Sequence, residues 1–81
     1  EQMDNWRKLI ESIASILDVP VGSIDALSSQ DTIEGWDSMA MVNLVTELEA
    51  LFEVEFDILE IAEFHNVEII KLVLIEKGIE F

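Results

Sequence analysis

The chain has 81 residues and a mass of 9.2 kDa, with 51% hydrophobic and 27% charged residues, no Cys and a single His. That composition is globular, the length predicts one domain over residues 1–81, and disulfide scaffolds, thiol nucleophiles and sites needing two imidazoles are excluded. Eighteen acidic residues against four basic ones give a net charge of −14. The cations (Arg7, Lys8, Lys71, Lys77) stand near the two ends. Such a surface repels nucleic acid and anionic lipid, attracts basic protein patches, and strains the fold through self-repulsion that added salt relieves. Apolar runs such as Leu72 to Ile75 are far too short to span a bilayer, so no membrane insertion is expected. No basic segment followed by an apolar one opens the chain, which leads to the expectation of a cytoplasmic protein.

The first predicted helix covers about residues 3–17. Trp6, Leu9, Ile10, Ile13, Ile16 and Leu17 recur at spacings of three and four, Asp4 is a candidate cap, and Pro20 with Gly22 supplies the stop. Residues 18–37 read as a long connection, with Val21, Ile24, Leu27, Ile33 and Trp36 placed to pin it to the core and a helical turn expected near Ser23–Leu27. The second helix is predicted over 38–52. Gly35 breaks the chain before it, Asp37 or Ser38 caps it, and Met41, Val42, Leu44, Val45, Leu48, Leu51 and Phe52 form its apolar side. Met39, Asn43, Thr46, Glu47 and Ala50 form the opposite side, which holds one charge.

A short third helix is predicted over 57–63 with Asp57 as its cap, and a last one over 66–77 between Asn66 and Gly78; the β-branched, partly alternating residues of this last segment also fit a strand, and the caps favour helix. The last segment is apolar all round, and Ile69, Leu72 and Ile75 exceed what a bundle edge needs. They suit an extra contact with a partner, with a second copy, or with a bound chain. The acidic run Glu47, Glu49, Glu53, Glu55, Asp57, Glu60 and Glu63 reads as a solvated face. His65 reads as a loop residue and Trp36 as a core anchor. The predicted fold class is all-α, a small bundle of three main helices and one short helix.

The chemistry-bearing stretch is Ile33-Glu34-Gly35-Trp36-Asp37-Ser38-Met39. It sets a hydroxyl in the first turn of a helix, where unpaired amides and the positive end of the helix dipole suit a phosphate ester. Asp37 adds a carboxylate able to hold Mg²⁺ while a phosphorylated donor is bound. The plainer alternative is that Ser38 only caps the helix. Its neighbours change the odds: from Asp31 to Phe56 the sequence resembles acyl carrier proteins and the related peptidyl carrier domains. Their motif is Asp-Ser-Leu at the start of the second helix, often within Gly-Trp-Asp-Ser. The Phe52, Val54, Phe56 pattern and Phe64-His65-Asn66-Val67 are also similar to the family.

The resemblance implies an acyl-carrier-type bundle in which Ser38, flanked by Gly35, Trp36, Asp37 and Met39, receives 4′-phosphopantetheine from coenzyme A. A Mg²⁺-dependent phosphopantetheinyl transferase adds it. The thiol of that arm then carries an acyl or aminoacyl group as a thioester. The chain is on this view a carrier and not an enzyme, with no resident metal, and is expected to be a monomer. Its partners are the transferase, an acyl- or aminoacyl-loading ligase or transferase, and downstream biosynthetic enzymes. The resemblance assigns Asn43, Thr46, Glu47 and Ala50 to the partner-facing surface. Met39 replaces the motif's Leu, and the scarcity of acids on this face favours a specialised polyketide-like or peptide-like pathway over primary fatty acid synthesis. The competing reading is an unmodified acidic helical adaptor that binds a basic protein; a small cation-buffering protein is a third.

Overall fold

A computed structural model describes residues 2–81, with side chains described from Asn5 onward. Among the described residues it holds four helices, α1 (Gln2–Leu17), α2 (Ser38–Phe52), α3 (Ile58–Ala62) and α4 (Val67–Glu76), with one 3-10 turn at Val21–Ser23. The expected small all-α bundle of acyl carrier type is present. Its core is built from Leu9, Ile13 and Leu17 of α1, Leu44, Leu48 and Phe52 of α2, and Val67, Ile70 and Leu74 of α4. Phe56 and Phe64 close the end of the bundle, edge to face at 5.1 Å.

Three helices end in the same device. Asp18 (φ 58°), Glu53 (φ 57°) and Gly78 (φ 100°) are left-handed. The residue after each, Val19, Val54 or Ile79, donates its amide back to Ala14, Glu49 or Leu74 and packs against the core. This is the Schellman arrangement, in which an apolar residue beyond the left-handed position draws the chain back over the helix end. It corrects the expectation that Pro20 and Gly22 stop α1: the stop lies at Asp18, before either. Helix α1 also starts earlier than predicted, so Asp4 stands in its first turn rather than before it; its side chain lies outside the described residues. Glu53 takes a conformation that disfavours a Cβ and puts an acid at the negative end of α2. Glu53→Gly is therefore expected to stabilise the chain by about 0.5–1 kcal/mol; an unchanged or lower urea midpoint contradicts this.

The connection between α1 and α2 is packed down. The radius of gyration is 11.4 Å, close to the roughly 12 Å expected of a folded chain this long. Ile24, Ile33 and Trp36 are buried and fix the connection to the core, whereas Val21 and Leu27 are exposed, contrary to expectation. The helical turn also falls earlier than predicted. Pro20 holds φ at −64°, and Ser23 returns both its amide (3.0 Å) and its hydroxyl (2.7 Å) to the Pro20 carbonyl. The stretch from Ser23 to Leu27 is instead shaped by Asp25, whose carboxylate accepts the Leu27 amide at 2.9 Å, and this turns Leu27 outward.

The same connection completes α4. The amides of Val67 and Glu68 donate to the carbonyls of Ser28 and Ala26, each at 3.0 Å, and the Asn66 side chain accepts from Ile69 at 2.9 Å. Three first-turn donors that α4 cannot satisfy internally are thus paired. Helix α3 carries a full capping box between Asp57 and Glu60, and Lys77 reaches Glu60 at 2.9 Å from the end of α4. The Lys77 hydrogen bond, reinforced by the Asp57 amide and the Lys77 charge, holds the Glu60 carboxyl below the usual carboxylate range, against an opposing effect of desolvation. A lowered folded-state pKa stabilises above the unfolded value and is lost as pH falls through the folded one. In Lys77→Met the Glu60 carboxyl is expected to titrate at higher pH in a carboxyl NMR titration, and α3 to lose its cap earlier on acidification. An unmoved midpoint contradicts this.

Candidate functional site

The start of α2 is positioned by what surrounds it. Ile33 and Trp36 are buried on either side of exposed Glu34 and Gly35, and the Trp36 amide donates to the Ile33 carbonyl at 3.1 Å. Gly35 is not the break that the sequence suggests. It has no positive φ, and an added Cβ would stand 3.4 Å from the Leu17 carbonyl, an ordinary contact. The break is Asp37, extended at φ −112°, ψ −171°, whose carboxylate accepts the Ala40 amide at 2.9 Å. The first helical bond follows, from the Met41 amide to the Asp37 carbonyl at 2.9 Å.

Asp37 is therefore the cap, and Ser38 is not. Ser38 is exposed between buried Trp36 and buried Ala40. Its hydroxyl has no hydrogen-bond partner among the described residues. The amides of Ser38 and Met39 precede the first helical bond and are left for an outside acceptor, at the positive end of the dipole. A free hydroxyl beside free amides fits attachment of a phosphodiester, and the exposure gives an incoming enzyme access. Behind it, Trp36 is 3% exposed and its Nε1 has no hydrogen-bond partner among the described residues. Leaving that N–H dry costs about 1–3 kcal/mol, which burial of the ring, worth a similar amount or more, offsets.

Downstream on α2, Met39, Asn43, Thr46, Glu47 and Ala50 are all exposed, as expected. Val42 is a correction. The sequence pattern groups it with the core side, yet it is 61% exposed, beside Met39 at 70%. The core side of α2 is a narrower arc centred on Leu44, Leu48 and Phe52, and Val42 falls outside it. The Thr46 hydroxyl donates to the Val42 carbonyl at 3.0 Å, and Glu47 shares a shallow groove with Lys8 of α1. The exposed face is thus more apolar and less charged than composition alone conveys. Sequence reasoning missed Val42 because a half-apolar helix leaves the edge of its buried arc undefined.

The acidic run is not uniformly solvated. Glu49 is half-buried and accepts the Phe56 amide at 2.9 Å, tying α2 to the segment before α3. Among the described residues no group of three or more acidic or imidazole side chains is arranged to hold a metal ion. His65 is an exposed loop residue, and no helix is long and apolar enough to cross a membrane.

Comparison with known proteins adds an independent line. The family described as "Phosphopantetheine attachment site" matches residues 7–70, most of the chain, with the start of α2 near the middle of the match. A search of curated proteins returned no match. Domains of this family are carriers rather than catalysts, and they interact with a phosphopantetheinyl transferase and with biosynthetic enzymes. The free hydroxyl at the head of α2, the acyl-carrier-type bundle and the long match agree: the chain belongs to the phosphopantetheine attachment site family, whose cofactor, 4′-phosphopantetheine, is bound covalently.

Proposed function

We propose that this chain is an acyl carrier protein loaded at Ser38. The observation that carries the reading is the division of labour at the head of α2: Asp37 caps the helix, and the Ser38 hydroxyl is left exposed and unbonded. In the loading step the Ser38 Oγ attacks the phosphorus of coenzyme A that bears the pantetheine. An Oγ–P bond forms, the diphosphate P–O bond breaks, adenosine 3′,5′-bisphosphate leaves, and the hydroxyl proton passes to a base of the transferase. The amides of Ser38 and Met39 stabilise the resulting phosphodiester charge. The bound arm supplies a thiol on which an acyl or aminoacyl group is held as a thioester, chemistry that a chain without Cys lacks. The chain's own residues then present that arm to partners.

The test is incubation with coenzyme A, Mg²⁺ and a broad-specificity transferase, read by intact mass. Gain of one phosphopantetheine supports the carrier; no gain argues for the unmodified adaptor. Asp37 has two separable jobs, capping and offering a carboxylate toward Mg²⁺ during loading. Asp37→Asn keeps the cap and is expected to slow loading with little change in stability. Asp37→Ala is expected to cost about 1 kcal/mol as well. Equal loading rates for wild type and Asp37→Asn would remove the metal role.

We favour a specialised polyketide-like or peptide-like pathway. The support is the α2 face, where Met39 and Val42 are exposed, Asn43, Thr46 and Ala50 are neutral, and Glu47 is the only acid. Docking of the loading ligase or transferase, and of downstream enzymes, on this face then depends little on charge. Affinity measured from low to high salt should change little; a steep loss would count against this pathway assignment.

A further inference from the structure

Helices α3 and α4 enclose a shallow groove of about 600 Å³. Its lining carries apolar side chains from both helices: Leu59, 76% exposed, on the α3 side, and Ile69 and Leu72, the latter 47% exposed, on the α4 side. Its rim is acidic, with Asp57 and Glu63 on the α3 side and Glu76 on the α4 side. Among the described residues none of these three carboxylates is in an ion pair; the nearby cation, Lys77, is engaged by Glu60. Both walls are helices, so the groove offers no strand edge. A segment that buries apolar side chains here must satisfy its own backbone, which a helix does.

We propose that this groove is a docking surface for a cationic amphipathic helix of a partner protein. The apolar stripe of that helix covers Leu59, Ile69 and Leu72, and Lys or Arg residues along its flanks meet Asp57, Glu63 and Glu76. The charge of the rim selects the occupant: an acidic helix is repelled, and a neutral one gains nothing from it. The surface is separate from the α2 face and holds whether or not Ser38 carries an arm, so it stands without the carrier reading. It also gives a role to Leu72 of α4, which the bundle leaves exposed.

The probe is a short Leu/Lys peptide designed as an amphipathic helix, titrated into the unmodified chain. Fluorescence anisotropy gives affinity, and amide shifts of the labelled chain give the site. A peptide of the same composition, scrambled so that no apolar stripe forms, is the control. Binding is expected with shifts centred on α3 and α4, gain of peptide helicity, and weakening with salt. Leu59→Gln and Leu72→Gln, both at exposed positions that leave the fold intact, are each expected to weaken binding roughly tenfold. The pair Glu63→Gln with Glu76→Gln should weaken it about threefold and flatten the salt dependence. Shifts centred on Met39 and Val42, shifts spread over the acidic surface, or equal binding of the scrambled peptide would each overturn the proposal. So would self-association abolished by Leu72→Gln, which makes the occupant a second copy, or decanoate moving the same resonances at lower concentration than the peptide.

Discussion

Ser38→Ala is expected to abolish uptake of phosphopantetheine completely while leaving the fold in place. The change removes an exposed hydroxyl that bonds to nothing among the described residues, and the Asp37 cap survives it. Stability should therefore move by no more than about 0.5 kcal/mol. No other hydroxyl is a substitute. Those of Ser23, Thr32 and Thr46 are spent on the carbonyls of Pro20, Ser29 and Val42, and that of Ser29 holds the Asp31 amide in a turn. Ser28 is 5% exposed, and its hydroxyl is engaged with Asp25. Ser12 and Ser15 lie in the body of α1, where the amides are already bonded. The measurement is intact mass after transferase treatment, with circular dichroism to verify folding. A mass gain in Ser38→Ala would move the attachment point elsewhere and overturn the central reading.

Leu48→Ala carries the largest expected effect on stability. Leu48 is 0% exposed in the middle of α2. Truncating a fully buried leucine costs about 2–5 kcal/mol. A chain this size has roughly 4–12 kcal/mol in all, so the substitution removes a large share of it. Thermal unfolding by far-UV circular dichroism should shift down by roughly 10–30 °C. Self-repulsion at a net charge of −14 leaves little reserve, and low salt should deepen the loss. A shift below a few degrees would mean that α2 is not the keystone of the core. The variant also probes function. If loading at Ser38 falls in step with the folded fraction, the transferase reads the head of α2 as a shaped surface rather than as a short peptide motif.

Much of this architecture is legible in the sequence for identifiable reasons. The periodicity of α1 and the side-chain caps Asp37, Asp57 and Asn66 mark helices directly, because a cap is a side-chain event that leaves its residue type in the chain. Gly78 marks the end of α4 in the same way. What stops α1 and α2 is not legible, since Asp18 and Glu53 take left-handed conformations only because Val19 and Val54 are drawn onto the core. The tie between the long connection and α4 is equally silent: it runs through backbone groups, which every residue possesses. Ser38 was ambiguous with Asp37 as the cap until the extended backbone of Asp37 separated them. The exposure of Val42 and Leu27 depends on where neighbouring elements stop, which no local pattern records.

The bonds from Val67 and Glu68 to Ser28 and Ala26 join stretches that lie some forty residues apart along the chain. Closing a loop of that length costs more chain entropy than a local contact does. Opening either stretch breaks backbone bonds of the other, so the amides of the two are expected to exchange together. A protein that pulls on the segment ahead of α2 therefore also acts on the start of α4, and the load does not stay in a slack hinge.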